Sequence, residues 1–265
     1  MIPRKQRAEH EDWVKAYAQI DEVVTKQEID NLVDRTVENI KSTVEGKMAA
    51  YGWSGGKDSI ALGYVSEAAG IQNCVLALSQ LEFRKFEEWI RKFAPPGLEI
   101  MRTEHDMRWL SENQGMLFPQ KANVLGKWYK IVQHTVQERY FRKHKLSFIL
   151  LGRRKADGNF SGENNIYTNK RGIRRYSPIA DWSHEQVLAL VKHYNLPLPP
   201  IYEWPRGWRV GTGPWPARPG TKNHEQGWLE TCQVQPELVI EAADYGITSA
   251  QKYINKNTVP RRNET

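Results

Sequence analysis

The string Ser54-Gly55-Gly56-Lys57-Asp58-Ser59 constrains this chain more than any other feature, because of what flanks it. Upstream, Met48-Ala49-Ala50-Tyr51-Gly52-Trp53 is short, uncharged and apolar, as a buried strand is. Downstream, Ile60-Ala61-Leu62-Gly63-Tyr64-Val65 reads as the first turns of a helix packed on that strand. A strand that breaks into a Ser/Gly turn and enters a helix is an anion site. The glycines let the backbone approach an oxygen closely, and the free N–H groups at the helix start point at it. Lys57, read as an exposed loop residue, adds a point charge.

The loop is not a Walker A motif. That motif has Gly five residues before the Gly-Lys pair, where this chain has Tyr51, and Ser or Thr after the Lys, where it has Asp58. The string resembles instead the PP-loop of the N-type ATP pyrophosphatases, a superfamily that cleaves ATP between the α and β phosphates. Gly-Gly-Lys alone would read as a glycine-rich turn with a surface lysine. The resemblance of the whole string implies ATP as cofactor, held by Ser54, Gly55, Gly56, Lys57, Asp58 and Ser59. Asp58 is a candidate ligand for Mg²⁺, directly or through water, or else a cap of the helix.

No apolar run approaches the ~18 residues needed to span a bilayer, so no membrane role is expected. The basic start, Met1 to Arg7, is followed by Ala8-Glu9-His10-Glu11-Asp12 and not by a signal-peptide core, which reads as cytoplasmic. Two cysteines, Cys74 and Cys232, are too few for a disulfide framework or an iron–sulfur cluster. His105, His134, His184 and His224 have no metal-ligand spacing. The net charge of +7 suits a polyphosphate ligand and admits a nucleic-acid partner. A homo-oligomer or a partner protein is left open.

Three regions are expected. Residues 1–45 form a helical extension: Trp13, Tyr17 and Ile20 recur at helical spacing, and Thr25 with Glu28 forms a capping box. Residues 46–203 alternate strand and helix, with strands at 48–53, 74–78, 98–101 and 148–151 and a long helix marked by Val124 to Tyr140. Such alternation argues an α/β fold with a mostly parallel sheet and helices on both faces. Ligands of these sheets bind at the carboxyl ends of strands. Ser183 and Gln186 form another capping box. Residues 204–265 are Trp- and Pro-rich, then helical at 236–244 and 248–254, and end in the basic tail Lys256 to Arg262. The stretch 195–232 has no strong period and reads as ordered but irregular, with its four tryptophans out of water.

A second motif, Leu150-Leu151-Gly152-Arg153-Arg154-Lys155-Ala156-Asp157, puts cations at a strand end, where guanidinium forks bind phosphate or sulfate oxygens. Arg171, Arg174 and Arg175 lead into Tyr176-Ser177-Pro178-Ile179-Ala180-Asp181-Trp182, and Asn195 to Pro200 follows. Together these blocks resemble the phosphoadenylylsulfate (PAPS) reductase family of the PP-loop superfamily, over about residues 46–203. The resemblance implies an adenine nucleotide α-hydrolase-like, Rossmann-like fold and an adenylated ligand. Three departures stand out. The Glu-Cys-Gly motif that carries the reductase nucleophile is absent: Cys232 stands in Leu229-Glu230-Thr231-Cys232-Gln233. The extra cysteines of adenylylsulfate reductases are missing. Leu78-Ser79-Gln80-Leu81-Glu82 replaces the usual Asp-Thr after the second strand.

The leading expectation is an enzyme in which a substrate heteroatom attacks the α-phosphate of ATP and releases pyrophosphate. Lys57, Asp58, Arg153 and Arg154 are its candidate catalytic residues, and Gly152 lines the nucleotide. Backbone N–H groups from Gly55 to Ser59 would hold the pyrophosphate, and Arg153, Arg154, Arg174 and Arg175 would bind substrate. The alternatives are a PAPS reductase-like oxidoreductase acting through Cys232 and a nucleotide-binding regulatory subunit without turnover.

Overall fold

A strand of four residues, β1 (Ala49–Gly52), organises the chain, with Ala50 and Tyr51 fully buried at its centre. The computed structural model describes residues 8–259. The basic start 1–7 and the tail beyond residue 259, including Arg261 and Arg262, lie outside the described residues. Before β1 come α1 (His10–Ala18), α2 (Ile20–Val23) and α3 (Lys26–Val44). The Thr25 capping box opens α3 as expected: Thr25 N–H donates to the Glu28 carboxylate at 2.7 Å, and Glu28 N–H donates to Thr25 Oγ1. Ile29, Val33 and Ile40 form its buried stripe.

After β1 follow α4 (Lys57–Ala68), β2 (Cys74–Leu78), α5 (Arg84–Phe93), β3 (Leu98–Arg102), α6 (Met107–Glu112), α7 (Ala122–Tyr129), α8 (Thr135–Lys143) and β4 (Phe148–Leu150). A π-helical turn, Lys130–His134, joins α7 to α8 within the long helix expected there. Next come β5 (Ile166–Thr168), β6 (Arg174–Tyr176), α9 (His184–His193) and α10 (Gly207–Val210). The chain continues through α11 (His224–Val234), α12 (Pro236–Asp244) and α13 (Thr248–Lys256).

The sheet order is β3-β2-β1-β4-β6-β5. β1 is parallel to β2 and β4, β4 is parallel to β6, and β5 is antiparallel to β6. The chain leaves β1 toward β2 on one side and returns to β4 on the other. Such a switch of direction opens a crevice at the carboxyl ends of the two strands. Helices cover both faces of β1. The Tyr51 hydroxyl donates to Glu67 of α4 at 2.6 Å, whereas Gly52, which faces the opposite way, meets Gln137 of α8.

The described residues form two compact units, each assembled from three stretches. The first holds residues up to Leu76, Trp89–Ile100 and Gln137–Thr212. In it the N-terminal helices pack on α4, α9 and α10. The second holds Ala77–Glu88, Met101–Val136 and residues from Gly213 on. There Phe118 meets Trp215 and Trp228, and the Trp228 indole donates to Ser249 Oγ at 3.0 Å. Trp204, Trp208, Trp215 and Trp228 are all buried, as expected.

The β5–β6 hairpin, α6 and α11 were not anticipated. The hairpin strands are three residues each and carry charge, so no alternation marks them. Its readable signal is the turn: Asn169 Oδ1 accepts from the N–H groups of Arg171 and Ile173, and Gly172 takes the left-handed conformation. In α11, Gly227 lies against the Phe118 ring, and the helix is only weakly amphipathic, so its period was hidden among prolines.

Candidate functional site

The carboxyl end of β1 runs through Trp53 and Ser54 into the loop, which lies in the first unit together with the side chains that surround it. Gly55 is left-handed at φ +70°, which a side chain would strain. Gly56 is the N-cap of α4. Ser59 ties the loop together: its Oγ accepts from Ser54 N–H at 3.0 Å and donates to the Gly56 carbonyl at 2.8 Å. Two residues from the later chain complete the collar. The Tyr202 hydroxyl accepts the Lys57 N–H at 2.7 Å, and Thr212 Oγ1 lies 3.4 Å from Ser54 Oγ. A side-chain carbon on Gly56 would stand 3.2 Å from that Thr212 oxygen, so only glycine fits without adjustment.

The second motif meets the first backbone to backbone. A side-chain carbon on Gly152 would stand 2.9 Å from the Asp58 carbonyl oxygen and 3.1 Å from its carbon. Gly152 is therefore what lets the end of β4 touch the start of α4.

The charges then pair inward. Lys57 Nζ lies 2.9 Å from both carboxylate oxygens of Asp58 and 5.1 Å from the centre of the Trp13 ring. Lys57 is 3% exposed, which corrects the expectation of an exposed loop lysine. Arg154, expected to face a ligand, is 0% exposed. Its Nε pairs with Asp58 Oδ1 at 2.8 Å and its Nη2 with Asp157 Oδ2 at 3.1 Å. It also donates to the Trp182 carbonyl, and its Nη2 lies 3.0 Å from His184 Nδ1. The reason is the supply of carboxylates: Asp58 and Asp157 both stand on the inward side.

A guanidinium only donates, so His184 Nδ1 is the acceptor and the ring is neutral. Burial, and then the charges of Arg154 and Lys57, lower the His184 pKa to about 4. The N–H cradle also differs from expectation. The Lys57 N–H is taken by Tyr202, and the Ser59 N–H by the Gly56 carbonyl at 2.9 Å. Asp58 already faces two cations, so as arranged it does not fit a metal ion. Among the described residues no group of three or more His, Cys, Asp or Glu could hold one.

The remaining arginines separate. Arg153 is half-buried and donates to the Tyr167 hydroxyl, as does Arg175 at 2.7 Å. Arg174 lies over the Phe148 ring, 4.4 Å from its centre. Phe148 is opposite Ala49, the first residue of β1, so Arg174 is not brought to the loop. Tyr202, Thr212, Trp13 and His184 were not anticipated as site residues. Nothing in their local sequence marks them, because each arrives from a distant element.

Neither thiol is activated. Cys74 is a buried strand residue, as expected, and burial pushes it up to about 11. Cys232, on α11, is half-buried and also raised, again by burial.

Residues 48–209 match the phosphoadenosine phosphosulfate reductase domain, well over half of the chain, and the chain belongs to that family. It is similar to the phosphoadenosine 5'-phosphosulfate reductases of Proteus mirabilis (strain HI4320), at 23% identity, and Aliivibrio fischeri (strain MJ11), at 20%. Each match covers 106 residues, 40% of this chain and 44% and 42% of those proteins. The chain thus spans less than half the length of these relatives. Its fold is similar to that of a phosphoadenylyl-sulfate reductase from Candida auris solved as a phosphate complex. The TM-score is 0.50 at 16% identity, over 68% of this chain and 92% of that one.

Two outcomes follow from this geometry. Gly152→Ala should destabilise the protein by about 1–3 kcal/mol, because the neighbour it meets is backbone and cannot rotate away. A denaturant melt checks this, and an unchanged midpoint would refute the contact. His184 makes the second. An unfolded histidine titrates near 6.5, so the unfolded chain gains a proton that the folded one refuses down to about pH 4. Its contribution to stability is complete above pH 6.5 and declines as pH falls toward 4. His184→Gln should flatten the melting temperature against pH across that window. A slope equal to the wild type's would mean that the ring is already charged in the fold.

Proposed function

We propose that the crevice at the ends of β1 and β4 binds an adenine nucleotide triphosphate and that the chain transfers its adenylyl group to an acceptor. The observation that carries this reading is the convergence of loop 54–59 and Gly152 at the switch point of the sheet. The acceptor heteroatom would form a bond to the α-phosphorus while the bond from that phosphorus to the bridging oxygen breaks. Pyrophosphate leaves with the electron pair, and the acceptor's proton passes to solvent.

In this reading Gly55 offers its N–H to the phosphates, and the Gly56 N–H, which rests on Ser54 Oγ at 3.4 Å, turns to them when they bind. Tyr202 takes the Lys57 N–H and keeps its own proton to donate. Lys57 and Arg154 act on Asp58, holding the first turn of α4 in place. No step is routed through Mg²⁺. The charge of +7 supports an anionic acceptor, nucleic acid included.

Family membership favours a second reading, reduction of an adenylylated sulfate by a thiol. The raised Cys232 thiol and the missing Glu-Cys-Gly motif weigh against it, since the attacking species in such chemistry is a thiolate.

Product analysis tests both readings. With ATP labelled on the α-phosphate, AMP or an adenylated product should appear together with pyrophosphate; ADP as the main product would sink the proposal. Lys57→Ala should abolish that turnover and also lower the melting temperature, because Lys57 is buried on Asp58 and Trp13. Sulfite formed from PAPS and reduced thioredoxin, and lost in Cys232→Ser, would establish the reductase instead. Tight ATP binding with neither product would leave a regulatory subunit.

A further inference from the structure

The second unit holds a cavity that takes no part in the chemistry above. It lies between the first turn of α11 and α13, has a volume of about 160 Å³, and is lined by His224, Glu225, Ser249, Lys252, Tyr253 and Lys256. A cavity of about 150 Å³ takes a ring the size of benzene, so a single base ring enters one of this size. Tyr253 is a buried wall, whereas His224, Lys252 and Lys256 are exposed. The two lysines are one turn apart on α13, and among the described residues neither has a carboxylate partner.

The lining groups differ in what they offer. Ser249 Oγ accepts from the Trp228 indole at 3.0 Å, so its own proton is left to donate. The exposed His224 ring meets Phe118 at 68°, which leaves a face open for stacking. Glu225 only accepts. It repels a bare anion but suits the amino group of a base, so the set fits a nucleotide better than free phosphate or a small carboxylate. The surroundings carry the same sign as the lysines. Gln120 Nε2 donates to the Phe118 carbonyl and to Thr221 Oγ1, which brings segment 118–121 to the residues just before α11. Lys121 and Lys222 are exposed there, and from Asn113 to Gln137 the sequence has no Asp or Glu.

From this we infer that the α11–α13 cavity binds one nucleotide of a single-stranded nucleic acid, with its base in the cavity against His224 and its flanking phosphates on Lys252 and Lys256. Lysines four residues apart on a helix stand about 6 Å apart along its axis, a separation that successive phosphates of an extended strand can match. A duplex keeps its bases stacked and paired, out of reach of such a cavity. The site is separate from loop 54–59 and does not rest on the adenylylation reading.

The test is fluorescence anisotropy of the full chain with short labelled single-stranded oligonucleotides of mixed sequence, DNA and RNA, without ATP, over a series of salt concentrations. The wild type should bind, more weakly as salt rises. The double variant Lys252→Gln, Lys256→Gln should bind more weakly at low salt and lower the logarithmic salt slope by about 1.4, at about 0.7 for each phosphate of a single strand. His224→Ala, measured above the histidine titration range, should cost about fivefold or more with the slope unchanged, as loss of a stacked ring does. If it melts early, the exposed lysine pair decides. Four results overturn the site: no strand bound by the wild type, an unchanged slope in the lysine variant, equal affinity for the duplex, or equal affinity for a free mononucleotide. So does an equal loss in Lys15→Gln, Lys41→Gln, exposed lysines of the first unit, because charge alone would then explain the binding. Strand binding by a chain that never cleaves ATP removes the proposed function alone, and ATP cleavage by a chain that binds no strand removes this site alone.

Discussion

The first unit depends on the pairing of Asp58 with Arg154. Asp58 opens α4 and Arg154 follows β4, so their 2.8 Å contact fixes the two motifs to each other across the switch of the sheet. The rest of the cluster is conditioned on it. Arg154 needs Asp157 and the Trp182 carbonyl to satisfy its remaining N–H groups, and it needs a neutral His184 because a second cation beside it would be repelled. Removing one member of a buried pair costs about 3–5 kcal/mol, since the partner charge is left uncompensated. Trp182 is itself held by Thr36 of α3, at 3.2 Å from its indole nitrogen, which ties the helical extension to the cluster. The N-terminal helices are therefore part of how the loop keeps its shape. Trp13 of α1 makes the same point, lying over Lys57 and edge-on to His184.

Legibility followed locality. The loop, its flanking strand and helix, and the Thr25 and Ser183 capping boxes are written in consecutive residues, and each forms where it was expected. So does Gly152, because a glycine at a strand end beside a phosphate loop has a steric meaning. Roles were harder than places. Whether Lys57 and Arg154 face a ligand or turn inward depends on where Asp157, Trp13 and His184 arrive, and no spacing rule connects those residues. The β5–β6 hairpin stayed hidden because three-residue strands carry too little alternation to read. Tyr202 was hidden for another reason: its function is to meet a backbone N–H 145 residues away in sequence.

The two arginines after Gly152 show why a motif is not yet a mechanism. An extended backbone sends adjacent side chains to opposite sides, and Arg154 is extended at φ −124°, ψ 145°. One of the pair must therefore face the carboxylates of the α4 side while the other faces the row of Ile149, Arg175 and Tyr167. The first finds two anions and becomes structural. The second finds no carboxylate and donates to the Tyr167 hydroxyl, which it shares with Arg175. Chemistry that asks for a positive field on a leaving or entering oxyanion has to draw it from the side where charge is unbalanced, because a compensated cluster projects little field beyond itself. The same reasoning separates holding from reacting in the thiols. A cysteine whose pKa is raised by burial, with no cation beside it, is arranged for packing, and both thiols of this chain are of that kind.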